Sequence, residues 1–132
     1  MKKVGLVGYT GFVGTNIKNE FKASIECYNS KNITEIKEEE FSTLYISAIQ
    51  AKKWWANQNA EEDKALIDEL FEHLNTVRAN KVIFISTVDV YQPPLNADED
   101  TPSNKDIHAY GANRLYAEEK IKSLFDDVHI IR

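Results

Sequence analysis

Cysteine is almost absent from this chain of 132 residues, because Cys27 is the only one. A single cysteine excludes a disulfide within the chain and any metal site built from several cysteines. The three histidines, His73, His108 and His129, lie far apart and share no ligand spacing, so the sequence predicts no metal site. A chain that needs no disulfide suits a reducing compartment, and we expect a cytoplasmic protein.

Long apolar runs and basic stripes are missing as well. No apolar run approaches the roughly 18 residues that span a bilayer, and the N-terminus becomes glycine-rich too early for a signal peptide. The formal net charge is −5, with the acidic residues scattered among basic ones. Nucleic acids and anionic membranes are therefore unsuitable partners, and we expect a soluble protein.

The 132 residues, 42% of them apolar, suffice for one compact core but not for two domains of ordinary size. Apolar runs of strand length are predicted at residues 4–7, 24–28, 43–48, 82–85 and 128–131. Helices are predicted over residues 15–22, 59–80 and 109–125, and residues 92–106, which contain all three prolines, are predicted as a loop. This alternation predicts an α/β fold with a doubly wound parallel sheet in three αβα layers, a Rossmann fold whose ligand crevice lies at the carboxyl ends of the strands.

Three glycines, Gly8, Gly11 and Gly14, follow the first predicted strand at G-x-x-G-x-x-G spacing and precede a helix. In that context the first allows a tight turn, the second lets a pyrophosphate approach the backbone, and the third lets the helix pack closely. A purely structural glycine turn is the alternative, but the position at the first strand-helix unit favours a dinucleotide site. Its candidate residues are Gly8, Thr10, Gly11, Phe12, Val13 and Gly14.

Two further segments resemble the signatures of a known family. Together with the glycine turn, they extend the resemblance over nearly the whole chain. Residues 84–91 (FISTVDVY) and 109–115 (AYGANRL) resemble the paired signatures of extended short-chain dehydrogenases/reductases of the sugar-nucleotide epimerase/dehydratase kind. The resemblance implies an NAD(P) cofactor, with Thr87 bonding the substrate oxygen and Tyr110 exchanging a proton with it during hydride transfer. Taken singly, Thr87 could be a capped strand end and Tyr110 a packed helix residue; together they favour chemistry.

The chain departs from the family pattern at two places. Arg114 stands where the family has the lysine that holds the ribose and activates the tyrosine. The guanidinium of arginine is wide and planar, whereas the ammonium of lysine is compact, so arginine is not an equivalent replacement. We expect Arg114 still to orient the ribose, although an active variant, a slow enzyme and a non-catalytic cofactor-binding protein all remain open. The dehydratases of the family have an Asp-Glu pair where this chain has Val88-Asp89. That argues against a 4,6-dehydratase. Asp89 could support the neighbouring site residues or be a solvated loop acid, and the solvated acid is the favoured interpretation.

The choice of dinucleotide depends on the end of the second predicted strand. An NAD-selective protein usually has an acid there for the ribose hydroxyls, whereas this chain has Asn29, Ser30 and Lys31. These side chains could meet a 2′-phosphate, so NADP is slightly favoured over NAD, and a mere polar turn is nearly as good an interpretation. Ala48, at the end of the third predicted strand, is a further candidate for lining the cofactor.

Members of the resembling family continue with a C-terminal region that recognises the substrate. The chain ends at Arg132, directly after a predicted strand, so residues 1–132 are expected to form an NAD(P)-binding domain that lacks this region. The predicted function is that of an oxidoreductase or epimerase for a nucleotide-sugar or similar hydroxyl substrate, with a homodimer as a possible assembly. A cofactor-binding sensor or structural protein without turnover is the main alternative, and a Rossmann-like domain for another nucleotide is a weaker one.

Overall fold

Five parallel strands form one sheet in the computed structural model, which describes residues 3–49, 52–91 and 108–132. The strands are β1 (Val4–Val7), β2 (Ile25–Tyr28), β3 (Glu40–Ile46), β4 (Arg78–Ile85) and β5 (Val128–Ile131). Their order is β2-β1-β3-β4-β5, so the direction of winding reverses between β1 and β3. The predicted doubly wound α/β sheet is therefore confirmed, with the crevice between the carboxyl ends of β1 and β3.

The helices cover the sheet on both faces. They are α1 (Phe12–Phe21), α2 (Lys53–Gln58), α3 (Ala60–Leu74) and α4 (Ala109–Leu124), with shorter 3₁₀ turns at Lys22–Ser24, Ile33–Ile36 and Val88–Val90. One core cluster joins α3 and α4 to alternate residues of the strands, including Leu44 and Ile46. Phe21 of α1 packs instead on Tyr45, with ring centroids 5.5 Å apart. Because neighbouring strand residues point to opposite faces, α1 lies across the sheet from α3 and α4.

The long predicted helix over residues 59–80 is too long in the structure. Helix α3 ends at Leu74, and Arg78 already pairs with Glu40 as the first residue of β4. Val77 is buried after the helix ends, so it continues the apolar pattern without continuing the helix. Leu66 lies within α3 but is 52% exposed, so not every apolar residue of the helix packs on the sheet.

The other boundaries differ by a few residues. Strands β1 and β5 occupy their predicted ranges, β3 begins and ends earlier than predicted, and α4 ends one residue before its predicted end. Helix α2, which carries Trp54 and Trp55, was not predicted. The loop predicted over residues 92–106 lies outside the described residues. None of the helices that the structure describes is long and apolar enough to cross a membrane.

Candidate dinucleotide and catalytic site

Gly8 and Gly14, in the turn between β1 and α1, lie in close contact with neighbouring backbone atoms. Gly8 has a φ of +90°, and a Cβ there would lie 2.3 Å from the carbonyl oxygen of Ser47. A Cβ on Gly14 would lie 1.9 Å from the carbonyl oxygen of Gly8. Both contacts are far shorter than van der Waals separation, so only glycine fits either position. The tight turn and close helix packing predicted for these two glycines are present.

Gly11 has a different environment. It is the N-cap residue of α1 with a φ of −80°, and no heavy atom lies within 4 Å of the place a Cβ would take. No side chain caps this helix end. The N-terminus of α1 therefore has no side-chain cap, and the place beside Gly11 is open, a combination that suits an anion such as a pyrophosphate. Phe12, 85% exposed, and Val13 border this space, and Thr10 is exposed beside it.

The residues after β2 form a hydrogen-bonded polar turn. Asn29 accepts a bond from the Lys31 amide at 2.9 Å and donates to the Tyr9 hydroxyl at 3.3 Å. The Asn29 amide donates in turn to Asn32 Oδ1 at 2.7 Å. The side chain of Asn29 is thus occupied by the turn, whereas Ser30 and Lys31 are exposed. Of the three candidates, these two are the ones placed to approach a phosphate without breaking the turn.

Ala48 lies just beyond the carboxyl end of β3, beside the glycine turn. Its Cα would be 2.7 Å from a Cβ on Gly8. The crevice between β1 and β3 is therefore bordered by backbone from both strands, as the winding reversal requires. Trp54 of the nearby α2 is 67% exposed.

Thr87 follows β4 and caps the short turn Val88–Val90. Its Oγ1 accepts a hydrogen bond from the Asp89 amide at 3.2 Å and donates one to Asp89 Oδ2 at 3.2 Å. The capping role considered from the sequence is therefore real. Because the hydroxyl proton is directed at Asp89, the group retains a lone pair for a hydroxyl that approaches it.

Asp89 has partners, contrary to the expectation of a solvated loop acid. Its Oδ1 accepts a bond from Lys53 Nζ at 2.8 Å, and His108 Nε2 is 3.9 Å away from the same oxygen. Partial burial pushes the pKa of Asp89 upward, but Lys53, Thr87 and His108 together hold it below its usual range. Asp89 therefore links α2, the end of β4 and the start of α4.

Tyr110 lies in the first turn of α4 and is 5% exposed. Its amide donates to Asn57 Oδ1 of α2 at 2.8 Å, and the His108 ring stacks beside its own ring with centroids 6.3 Å apart. His108 also caps α4, since its Nδ1 accepts a bond from the Gly111 amide at 3.2 Å. Through His108 and Asp89, the structure brings the start of α4 to the turn that contains Thr87.

Arg114 is buried and bonded to a carboxylate of the neighbouring helix. Its Nη1 and Nη2 donate to the two oxygens of Asp63 on α3 at 2.9 and 3.2 Å. Asn113 Nδ2 donates to the same carboxylate at 2.9 Å, and the guanidinium carbon lies 4.4 Å from the Tyr110 ring centroid. The guanidinium of Arg114 on α4 thus bonds the carboxylate of Asp63 on α3. The ribose contact expected of Arg114 stays a prediction.

Asp63, the partner of Arg114, was not identified from the sequence. It is one of three consecutive acids in the first turn of α3, and the sequence alone treats all three as solvent-facing charges that favour a helix N-terminus. The signal was on α4, where Arg114, Glu118 and Ile121 have helical spacing and are all buried. A buried arginine demands a carboxylate, and an acid on a neighbouring helix is the nearest source.

Comparison with known proteins shows the fold. No protein-family model and no curated protein matches the chain. It resembles a solved dTDP-4-dehydrorhamnose reductase from Bacillus anthracis in complex with NADP, at 22% identity and a TM-score of 0.77, over 98% of this chain and 52% of that one. An NAD-dependent NDP-hexosamine 5,6-dehydratase of tunicamycin biosynthesis is similar, at 17% identity and a TM-score of 0.78, over 100% of this chain and 54% of that one.

A UDP-N-acetylglucosamine 4-epimerase from Bacillus cereus has the same fold, at 17% identity and a TM-score of 0.64, over 93% of this chain and 55% of that one. The chain therefore spans about half the length of the solved structures that it matches. At these identities the likeness establishes a Rossmann-like α/β fold shared with nucleotide-sugar reductases, dehydratases and epimerases.

Replacement of Asp63 by alanine is expected to destabilise the chain strongly. The change leaves the Arg114 guanidinium buried without its carboxylate, which costs about 3–5 kcal/mol in comparable cases. Denaturant unfolding of Asp63→Ala measures the loss. Glu62→Ala is the matched control, because Glu62 is an exposed acid in the same helical turn and should change stability by less than about 0.5 kcal/mol. Equal effects of the two substitutions would refute the buried pair.

Proposed function

We propose that the chain is the dinucleotide-binding domain of an NAD(P)-dependent oxidoreductase or epimerase of the extended short-chain dehydrogenase/reductase kind. The observation that carries the proposal is the glycine turn. Gly8 and Gly14 are fixed by backbone contacts, while Gly11 between them leaves an open space at the N-terminus of α1. That combination suits a pyrophosphate at the point where the sheet reverses its winding.

The substrate class rests on the similar structures and on the side chains after β4. Two of the similar proteins are described as an NADP complex and an NAD-dependent enzyme, and all three act on nucleotide sugars. We therefore assign a nucleotide-sugar or a related hydroxyl or carbonyl compound as the substrate. Because the chain spans about half of those proteins, the remainder of the substrate site is expected from sequence beyond residue 132.

A dinucleotide held at the glycine turn would supply the hydride chemistry of the proposed reaction, and the residues of this chain would handle the proton. Tyr110 gives a proton to the substrate carbonyl oxygen during reduction, or takes one from the hydroxyl during oxidation. Thr87 bonds the same oxygen, and its lone pair suits the hydroxyl form because its proton is directed at Asp89. Asp89 and His108 hold the turn and the start of α4 in place around this oxygen.

A second function, cofactor binding without turnover, is favoured by the Arg114–Asp63 pair. In an active member of the resembling family a lysine contacts the ribose and activates the tyrosine. Here the cation at that position is neutralised by a carboxylate at 2.9 Å. A sensor or structural protein would retain the glycine turn and tolerate this change.

NADP is the proposed cofactor in preference to NAD. The described turn after β2 has no acid for the ribose hydroxyls, and Ser30 and Lys31 are exposed there. Their hydroxyl and ammonium groups would favour a 2′-phosphate.

Gly11→Ala is expected to fold normally and to lose dinucleotide affinity. Alanine meets no neighbour at this position and suits its φ of −80°, but its methyl group would occupy the space assigned to the pyrophosphate. Energy transfer from tryptophan to NADPH or NADH measures binding, and a melting temperature close to that of the wild type checks the fold. Glu20→Ala, an exposed position on the same helix, is the control. Wild-type affinity in Gly11→Ala would remove the main support for the proposal.

Lys31→Ala is expected to weaken NADPH binding selectively. Loss of an exposed ion pair with the 2′-phosphate costs up to about 1 kcal/mol, or about fivefold in Kd, and NADH lacks that phosphate. Parallel titrations with the two dinucleotides measure the difference. An equal change for both, or equal wild-type affinities, contradicts the NADP preference.

Tyr110→Phe separates the two candidate functions in the full-length protein. If the protein is an enzyme, removal of the hydroxyl should lower kcat by about 10²–10⁴-fold and leave dinucleotide affinity unchanged. Turnover is followed by nicotinamide absorbance with a panel of dTDP- and UDP-sugars. Tyr116→Phe is the control, because that hydroxyl bonds Asp68 of α3 instead. Dinucleotide binding without turnover of any sugar by the wild type would favour the second function.

A further inference from the structure

Glu118 is a fully buried carboxylate in the third turn of α4, on the same helix face as Tyr110. Its Oε2 accepts hydrogen bonds from Ser86 Oγ at 2.5 Å and from Arg132 Nε at 3.1 Å. Its Oε1 accepts one from Arg132 Nη2 at 2.5 Å. A buried carboxylate needs this degree of compensation, and Ser86 and Arg132 supply it.

Arg132 extends the same network to Tyr91. It follows β5, and its Nη1 donates to the Tyr91 hydroxyl at 2.8 Å. Tyr91 is 4% exposed and lies directly after the turn Val88–Val90. The backbone adds a further connection, since the Ser86 amide donates to the Ile131 carbonyl at 2.6 Å. The ends of β4 and β5 are therefore held together by main chain and side chains alike.

The six residues from Ser86 to Tyr91 are thus anchored at both ends by one ion pair. Ser86 bonds Glu118 at the first residue of the segment, and Tyr91 bonds Arg132 at the last. Thr87 is adjacent to the first anchor. Glu118 itself is two helical turns from Tyr110, on a helix that packs against this segment. The Glu118–Arg132 pair is therefore a second connection between α4 and the segment that contains Thr87, besides the one through Asp89 and His108.

We propose that Glu118 is a positioning residue that, through Ser86, Arg132 and Tyr91, fixes the Thr87 hydroxyl in relation to Tyr110. The inference rests on the roles proposed for Thr87 and Tyr110. In this role Glu118 holds one segment, Ser86 to Tyr91, in place. A residue with a merely stabilising role would support the fold as a whole. The hydrogen bonds of the network reach neither the glycine turn nor the polar turn after β2, so we expect substitutions in it to leave dinucleotide affinity close to the wild-type value.

Tyr91→Phe and Glu118→Gln test the placement of Thr87 directly. The first removes one hydroxyl four residues from Thr87, and the second removes the charge while keeping the shape. With threonine methyl groups labelled for NMR, we expect the Thr87 signal to shift or broaden in both variants while Thr15 and Thr76 stay in place. Tyr116→Phe and Glu119→Gln, on the same helix, are the matched controls. If Glu118→Gln fails to fold, Tyr91→Phe decides alone, and an unmoved Thr87 signal there overturns the proposal.

A second measurement uses turnover of the full-length protein. Displacement of a group that bonds the reacting oxygen lowers the rate of chemistry, so Tyr91→Phe should reduce kcat about tenfold or more. KM and the dinucleotide Kd should remain within about twofold. A fall in dinucleotide affinity with unchanged kcat would contradict the assigned target. Absence of turnover in the wild type would count against the proposed function, whereas the Thr87 signal would still decide the positioning role.

Discussion

Two opposite charges on the buried face of α4 determine how that helix is held. Arg114 and Glu118 are one turn apart, and each is bonded to a partner of opposite sign from another element: Asp63 of α3 and Arg132 after β5. An unpaired buried charge would cost several kcal/mol, so neither helix nor strand can move without breaking a pair. Both α3 and α4 also pack through apolar side chains, and the two pairs add directional bonds to the packing of α4. Because Tyr110 is on this helix, the two pairs help to fix its position, together with its own contacts to Asn57 and His108.

On the other side of the crevice, close backbone contacts fix the turn between β1 and α1. Gly8 approaches Ser47 and Gly14 approaches Gly8 so closely that no side chain fits at either glycine. The strands β1 and β3 and the helix α1 are brought together by this packing, without any charged group. Gly11, between them in the pattern, has open space where a side chain would lie. The turn is therefore shaped by steric exclusion at two glycines and is open at the third.

Most strands and the glycine turn could be predicted because their signals are local. The ranges of β1 and β5 follow from short apolar runs bounded by turn residues, and the spacing of the glycines is tied to one backbone path. The end of α3 could not be located from the sequence. Val77 lies between α3 and β4 and is buried, and its spacing from the apolar residues of α3 matches that of one more helical residue. Helix α2 has only six residues and no long apolar period. Asp63 and Glu118 were missed because partners on different elements are visible only in three dimensions.

The candidate site thus has two halves that depend on different physics. The half formed by β1, β3 and α1 presents backbone amides and is fixed by contacts between main-chain atoms, so most side-chain substitutions leave it intact. The half formed by the end of β4 and by α4 relies on paired charges and on hydroxyls held at specific angles, so a single substitution can change its chemistry. Arg114 is such a substitution relative to the resembling family, and Asp63 compensates for its charge at 2.9 Å. A chain of this kind can lose turnover while it keeps the dinucleotide site, and for that physical reason binding and catalysis have to be measured as separate properties of this protein.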